Sequence, residues 1–235
     1  MRITIHQPEH LPWAGFFHKI SDVDTVVILD SVQFRKNYFQ NRNKIRSSDG
    51  WSWITVPVYR RLDTLIKDVT IVMNQYWQRK WIDSIYHAYK KATYFEEYFD
   101  RLAAEINKNE EKLSLLNFAL IKIIGEWLGI KTDFIFSSQL DVKGKGNELI
   151  LDICKSLNAT TYLSGVSGKE YLSLDDFTRG DIRVEFQEFY HPIYSQLYEP
   201  FIPCMSIIDI LFNYGKKSLE IVKGKGVPVM EHIFI

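Results

Sequence analysis

Polar and apolar positions alternate over residues 2–5 (RITI), the period of a short strand. From residue 13 to residue 20 (WAGFFHKI) the apolar positions recur at helical spacing, and Pro12 stands at the helix start, where its missing N–H costs no intrahelical bond. Residues 25–29 (TVVIL) form a continuous, largely β-branched run that predicts a buried strand ending at Asp30. Strand, helix and strand make a βαβ-like opening. If the two strands are parallel neighbours, Asp30 comes close to the turn that follows the first.

Residues 31–46 are polar and aromatic with no clean period and predict a loop that enters a strand. Residues 47–50 (SSDG) are a turn signal, and residues 51–58 (WSWITVPV) alternate again until Pro57 ends the run. Residues 68–73 are another short apolar run. Between about residues 75 and 128 the pattern becomes helical and predicts three helices, the last stopped by Gly129. Alternation of strands and helices then resumes, with strands predicted at 133–136, 160–163 and 183–186 and helices at 147–157 and 207–212. The expected fold is α/β, a parallel-containing sheet with flanking helices and a mostly helical middle block. Residues 1–235 are expected to form a single domain, because no linker-like composition bounds the helical block.

Lys plus Arg and Asp plus Glu number 29 each, so no broad phosphate-neutralising surface is suggested and nucleic acid is not an expected partner. Cys154 and Cys204 lie far apart and lack metal-ligand spacing, as in a reduced cytoplasmic protein. The N-terminus lacks a secretory pattern, and the most apolar helical stretch is interrupted by Lys122 and Glu126, so no membrane span is expected.

Candidate chemistry concentrates in residues 5–19, IHQPEHLPWAGFFHK. In open α/β sheets ligands bind at the carboxyl ends of strands, which is where this strand-to-helix turn falls. His6, Gln7 and His10 are candidates for the reaction centre, with Trp13 beside them. Lys19 and Arg42 are candidates for holding phosphates, Arg by a bidentate fork. Asp30 is a candidate for orienting a sugar or a metal, although a turn cap would look the same. Gln33 and Asn41 join Arg42 in the polar loop as substrate-binding candidates. His191, with Tyr194 and Gln196 close by, is a second acid/base candidate. The turn histidines read equally well as rings bonded to backbone; a metal site using both His6 and His10 stays open, although nothing nearby stands out as a third ligand. A thiol nucleophile at Cys204, paired with His191, competes with a small buried hydrophobe. The glycine-rich residues 164–169 (SGVSGK) lack the full P-loop pattern and read as a tight turn.

Residues 6–20 (HQPEHLPWAGFFHKI), 30–34 (DSVQF) with 41–43 (NRN), 53–58 (WITVPV), 162–165 (YLSG), 189–196 (FYHPIYSQ) and 206–209 (SIID) together resemble the WbqC-like proteins, a bacterial family of O-antigen and other surface-polysaccharide gene clusters. The resemblance runs from residue 1 to about residue 215. It implies a sugar-modifying role, with glycyl or other acyl transfer to an amino sugar suggested by gene context. The first turn also looks like a nucleotide site of the nucleotidylyltransferases and pantothenate-type ligases, although their HxGH spacing is absent: Leu11-Pro12-Trp13 follows His10. The expected function is therefore N-acylation of a nucleotide-linked amino sugar in the cytoplasm. A small acid is the donor, activated by ATP and Mg or supplied as an activated acyl group. A non-catalytic nucleotide-sugar binding or assembly protein of the same pathway is the alternative. The sugar, the metal and whether the chain forms a homo-oligomer are left open.

Overall fold

The computed structural model describes residues 1–224 and the short strand Val227–Pro228. The chain divides into two compact units, each assembled from three segments. The first comprises Met1–Gln7, Lys19–Val32 and Lys131–Glu188; the second comprises Pro8–His18, Gln33–Ile130 and Phe189–Ile235. The helical block predicted from the sequence lies wholly within the second unit.

In chain order the elements begin with β1 (Arg2–His6), α1 (Ala14–Ile20) and β2 (Thr25–Ile28). The hairpin β3 (Arg42–Ser47) and β4 (Gly50–Thr55) follows, then the short pair β5 (Val58–Tyr59) and β6 (Thr70–Ile71). Pro57 interrupts the alternating run and so separates β4 from β5. Three helices come next, α2 (Gln75–Tyr89), α3 (Phe95–Ile106) and α4 (Leu113–Trp127). Gly129, at φ +74°, lets the Ile130 amide turn back to the Gly125 carbonyl and end the third. The remainder is β7 (Asp133–Phe136), α5 (Asn147–Ser156), β8 (Thr161–Ser164), α6 (Leu174–Arg179), β9 (Arg183–Phe186), β10 (Tyr190–His191), α7 (Ile208–Tyr214), α8 (Ser218–Lys223) and β11 (Val227–Pro228). The sequence pattern misses α6 and α8, both of six residues and too short to display a helical period.

The first unit is an open parallel sheet in the order β7-β2-β1-β8-β9. Ile3, Ile5, Val27, Leu149, Ile150, Ile153, Tyr162 and Phe177 pack on one of its faces, which draws α5 and α6 onto the sheet. The chain steps outward from β1 to β2 and β7, then returns to the other side of β1 for β8 and β9. The strand order therefore reverses between β1 and β8. These two strands pair only at Arg2–Thr161 and Ile3–Tyr162, with the Thr4 hydroxyl donating to Leu163 O at 2.7 Å. The other strand pairs of this sheet keep four paired positions each. The ladder between β1 and β8 stops before their carboxyl ends, at the topological switch point where ligands of open α/β sheets bind.

The second unit packs α2, α3, α4 and α7 around an aromatic core. Phe212 meets Tyr89 and Phe95 with ring centroids 5.2 Å apart in both cases. The β3–β4 hairpin lies against α2 and turns at Ser48-Asp49.

Candidate functional site

The switch point of the first unit gathers His6, Gln7, Lys19 and the loop after β8. His6 Nδ1 faces Gln7 O at 3.0 Å. A carbonyl only accepts, so Nδ1 carries the hydrogen of the neutral ring. Burial, with the Lys19 charge adding to it, pushes the His6 pKa down to about 3. Lys19, in the last turn of α1, is only 4% exposed. Its ammonium lies against the loop: a Cβ on Gly165 would stand 3.8 Å from Lys19 Nζ. A largely buried cation beside a glycine-started turn at a strand's carboxyl end is the chemistry that meets phosphate.

The loop is fixed from beneath. Gln187 N donates to Ser164 O at 2.8 Å, and the Ser164 hydroxyl donates to Gly165 O at 3.1 Å. Gly168 packs so closely on Ser164 that a Cβ there would come within 2.1 Å of Ser164 Oγ. Gly168→Ala is expected to cost about 1–3 kcal/mol, read as a lower urea midpoint; an unchanged midpoint would contradict the packing. Pairing it with Ser164→Ala removes the nearest atom and restores part of the loss.

Asp30 lies in the same unit, at the end of β2, and its carboxylate is occupied. Oδ1 accepts from Ser137 Oγ and Ser138 N, both at 3.0 Å, and Oδ2 accepts from Ser138 Oγ at 2.7 Å. Asp30 thus holds the turn after β7, the capping role that its sequence context allowed. Ser137 and Ser138 were unmarked beforehand, because a serine pair carries no distinctive pattern.

Sequence expectation and geometry part company at His10. It is fully buried in the second unit, where Trp81 Nε1 donates to its Nε2 at 2.9 Å and its Nδ1 meets Asn117 Oδ1 at 3.0 Å. Indole only donates, so Nε2 is the acceptor nitrogen and Nδ1–H bonds the amide oxygen. Burial pushes the pKa down to about 4. Asn117 Nδ2 also binds Pro8 O and Gln40 O, and Asn43 Nδ2 binds His10 O and Leu11 O. This network holds Leu11 at φ +42°. Both ring nitrogens of His10 are thus committed to partners that hold the loop.

His191 is committed in the same way. Cys204 N donates to its Nε2 at 3.0 Å, and Nδ1–H donates to Pro192 O at 2.8 Å. Burial lowers its pKa, so the neutral ring spends its lone pair on a backbone amide. It stacks between Trp13 and Tyr194 at centroid distances of 6.2 and 6.4 Å. Burial also pushes the Cys204 thiol up to about 12, which leaves no thiolate for nucleophilic chemistry. Tyr194 and Gln196 belong to a buried network. Tyr194 OH and Gln196 Nε2 donate to Asp209 Oδ2 at 2.7 and 3.0 Å, and Arg46 Nε donates to Gln196 Oε1 at 3.0 Å.

The other candidates of the second unit are spread along its hairpin region. Gln33 donates to the exposed Asp63 at 2.8 Å. Asn41 pairs with Val56 through both its side chain and its carbonyl. Arg42 lies over the Trp53 ring, 4.1 Å from its centroid. Among the described residues no group of three or more His, Cys, Asp or Glu side chains forms a metal cage. No helix among them is long and apolar enough to cross a membrane.

A family model described as the WbqC-like protein family matches residues 7–221. The chain belongs to the WbqC-like family. A relative in Mycobacterium tuberculosis (strain ATCC 25618 / H37Rv), "Uncharacterized protein Rv1507c", is 32% identical over 226 residues, covering 94% of this chain and 97% of its own length. No solved structure matches. For this WbqC-like protein the matched span takes in Lys19, Gly165 and Gly168 at the switch point and starts just after His6.

Proposed function

We propose that this WbqC-like protein is a cytoplasmic enzyme of surface-polysaccharide assembly that N-acylates a nucleotide-linked amino sugar. The donor is glycine or a similar small acid activated by ATP. The observation that carries the reading is the buried Lys19 ammonium set against Gly165 beside His6 at the switch point of the sheet. ATP, when bound, supplies the leaving group that makes a carboxylate an acylating agent. Lys19 would hold its phosphates and stabilise charge that develops on them. The described carboxylates do not form a cage, so Mg would arrive held chiefly by those phosphates, as is usual for this ion.

With His10 and His191 committed to backbone and side-chain partners, His6 is the histidine assigned to the reaction centre. An anion beside Lys19 offsets one of the two causes that keep the His6 pKa low, so the ring becomes a better base once phosphate is bound. A binding-protein reading draws its support from the same histidines, since all three are held neutral by burial.

The deciding experiment incubates the protein with a dTDP- or UDP-linked amino sugar, ATP, magnesium and pooled amino acids, and in parallel with acyl-CoA donors, followed by mass spectrometry. A product heavier by an aminoacyl group, together with AMP and pyrophosphate, is expected. Product with acyl-CoA alone would remove ATP from the reading. No product in either arm, with nucleotide sugar still bound, would replace the enzyme by the binding protein. Lys19→Met is expected to weaken ATP binding at least tenfold, the loss of about one charged hydrogen bond. Calorimetric titration checks it, and unchanged affinity would remove Lys19 from the site.

A further inference from the structure

The outer face of the β3–β4 hairpin carries Arg42 and Lys44 on one strand, with Trp53 paired opposite Lys44 and Trp51 opposite Arg46. On β3 the inward positions Asn43 and Ile45 are buried, whereas Arg42 and Lys44 are only half-buried. Cations and rings interleave. The Arg42 guanidinium lies 4.1 Å from the Trp53 centroid, and Lys44 Nζ lies 4.6 Å from that of Trp51 and 5.3 Å from that of Trp53. Nearby, Arg35 lies 5.7 Å from the Tyr38 ring.

Two properties of this face remain unbalanced. Among the described residues no carboxylate forms an ion pair with Arg35, Arg42 or Lys44. Arg42 Nη2 donates to Asn37 O at 2.6 Å, while its buried Nε has no hydrogen-bond partner among the described residues. Trp51 and Tyr38 keep 43% and 41% of their surfaces exposed, although burying such rings is strongly favourable. A ligand that satisfies both properties brings an anion for the fork and ammonium and an apolar ring face for the exposed indole.

From this charge complementarity we infer that the hairpin face binds a phosphorylated sugar, its phosphate on Arg42 and Lys44 and its C–H face on Trp51. The inference rests on the acylation reading only for the role of that sugar as acceptor; the binding itself stands on the hairpin. A sugar suits this face better than a nucleobase, because Trp51 and Trp53 meet edge to face at 87° and offer no parallel ring slot.

The test is calorimetric titration of the full chain with glucose 1-phosphate, galactose 1-phosphate and N-acetylglucosamine 1-phosphate, with inorganic phosphate, glucose, UMP and oligo-dT as comparisons. At least one hexose phosphate is expected to bind at least tenfold tighter than phosphate or glucose. Trp51→Ala and Arg42→Gln should each weaken it roughly tenfold. Trp51 is exposed, so its variant should keep the thermal midpoint. Lys19→Met should leave hexose phosphate binding unchanged, so failure of the ATP site and failure of the hairpin site are read separately. The inference is overturned if no hexose phosphate binds, if both hairpin variants bind as well as the parent, or if phosphate, UMP or oligo-dT binds as tightly.

Discussion

Arg46→Met lowers the stability of the chain by about 3–5 kcal/mol, a loss of thermal midpoint on the order of 10 °C for a chain of this size. Arg46 is fully buried in the second unit, where a charge survives only if its donors are used. Nε binds Gln196, Nη1 binds Ser47 O and Gly50 O, and Nη2 binds Tyr198 O and Pro200 O at 2.9 and 2.8 Å. Methionine fills much of the volume but leaves four carbonyls without this donor. It also removes the positive charge that helps to keep Asp209 ionised. Burial already raises the Asp209 pKa against the hydrogen bonds from Tyr194, Tyr89 and Gln196 that lower it. The Arg46→Met/Asp209→Asn pair should therefore lose less than its single variants together, by about 1 kcal/mol or more. Urea unfolding of the four proteins measures this, and strict additivity would show that the two groups do not sense each other.

Arg46 was invisible as a special residue in the sequence. It sits in a polar stretch with Arg35, Lys36, Arg42 and Lys44, and no local pattern distinguishes the one cation that folds inward. Strand alternation would put it outside with Arg42 and Lys44. It is buried because the segment around Tyr198 to Pro200 supplies carbonyl acceptors from some 150 positions along the chain. Such partners are unreadable from local spacing. By contrast, the parallel sheet was legible. The β-branched run at residues 25–29 and the alternating start reflect burial on a sheet, which residue type records directly.

The histidines divide along the same line. A polar cluster at a strand-to-helix turn marked a place where chemistry could gather, and the structure sets Lys19 beside Gly165 there. It could not say which histidine points where. The partners that commit His10 are Trp81 and Asn117, 71 and 107 positions away, on helices whose sequences look like ordinary amphipathic packing. For His191 the partner is the amide of Cys204, held at φ +62°, a backbone feature with no side-chain signature. Imidazole spacing alone therefore could not show that the rings at the first turn and near the C-terminus have buried hydrogen-bond partners.

Those buried rings give the protein a steep acid limit. His6 and His10, at about 3 and about 4, and His191, also lowered, stay neutral in the folded chain at pH values where an unfolded chain protonates them near 6.5. The unfolded state binds more protons, so stability rises with pH across this range and falls on acidification below about 6.5. His10 alone, fully buried, accounts for about 3 kcal/mol between pH 6.5 and 4. Asp209 works the other way, since burial raises its pKa and makes the folded chain the better proton binder at that group. Between pH 5.5 and 4.5 the net slope of unfolding free energy against pH should correspond to at least about one proton, roughly 1.4 kcal/mol per pH unit. Urea midpoints at half-unit steps measure it. A slope below one proton would mean that these rings titrate in the folded chain, and the assignment of His10 and His191 as permanently neutral structural groups would then be lost. Lys19→Met should flatten the acid end of the same curve, because removing its charge lets the His6 pKa rise toward 6.5.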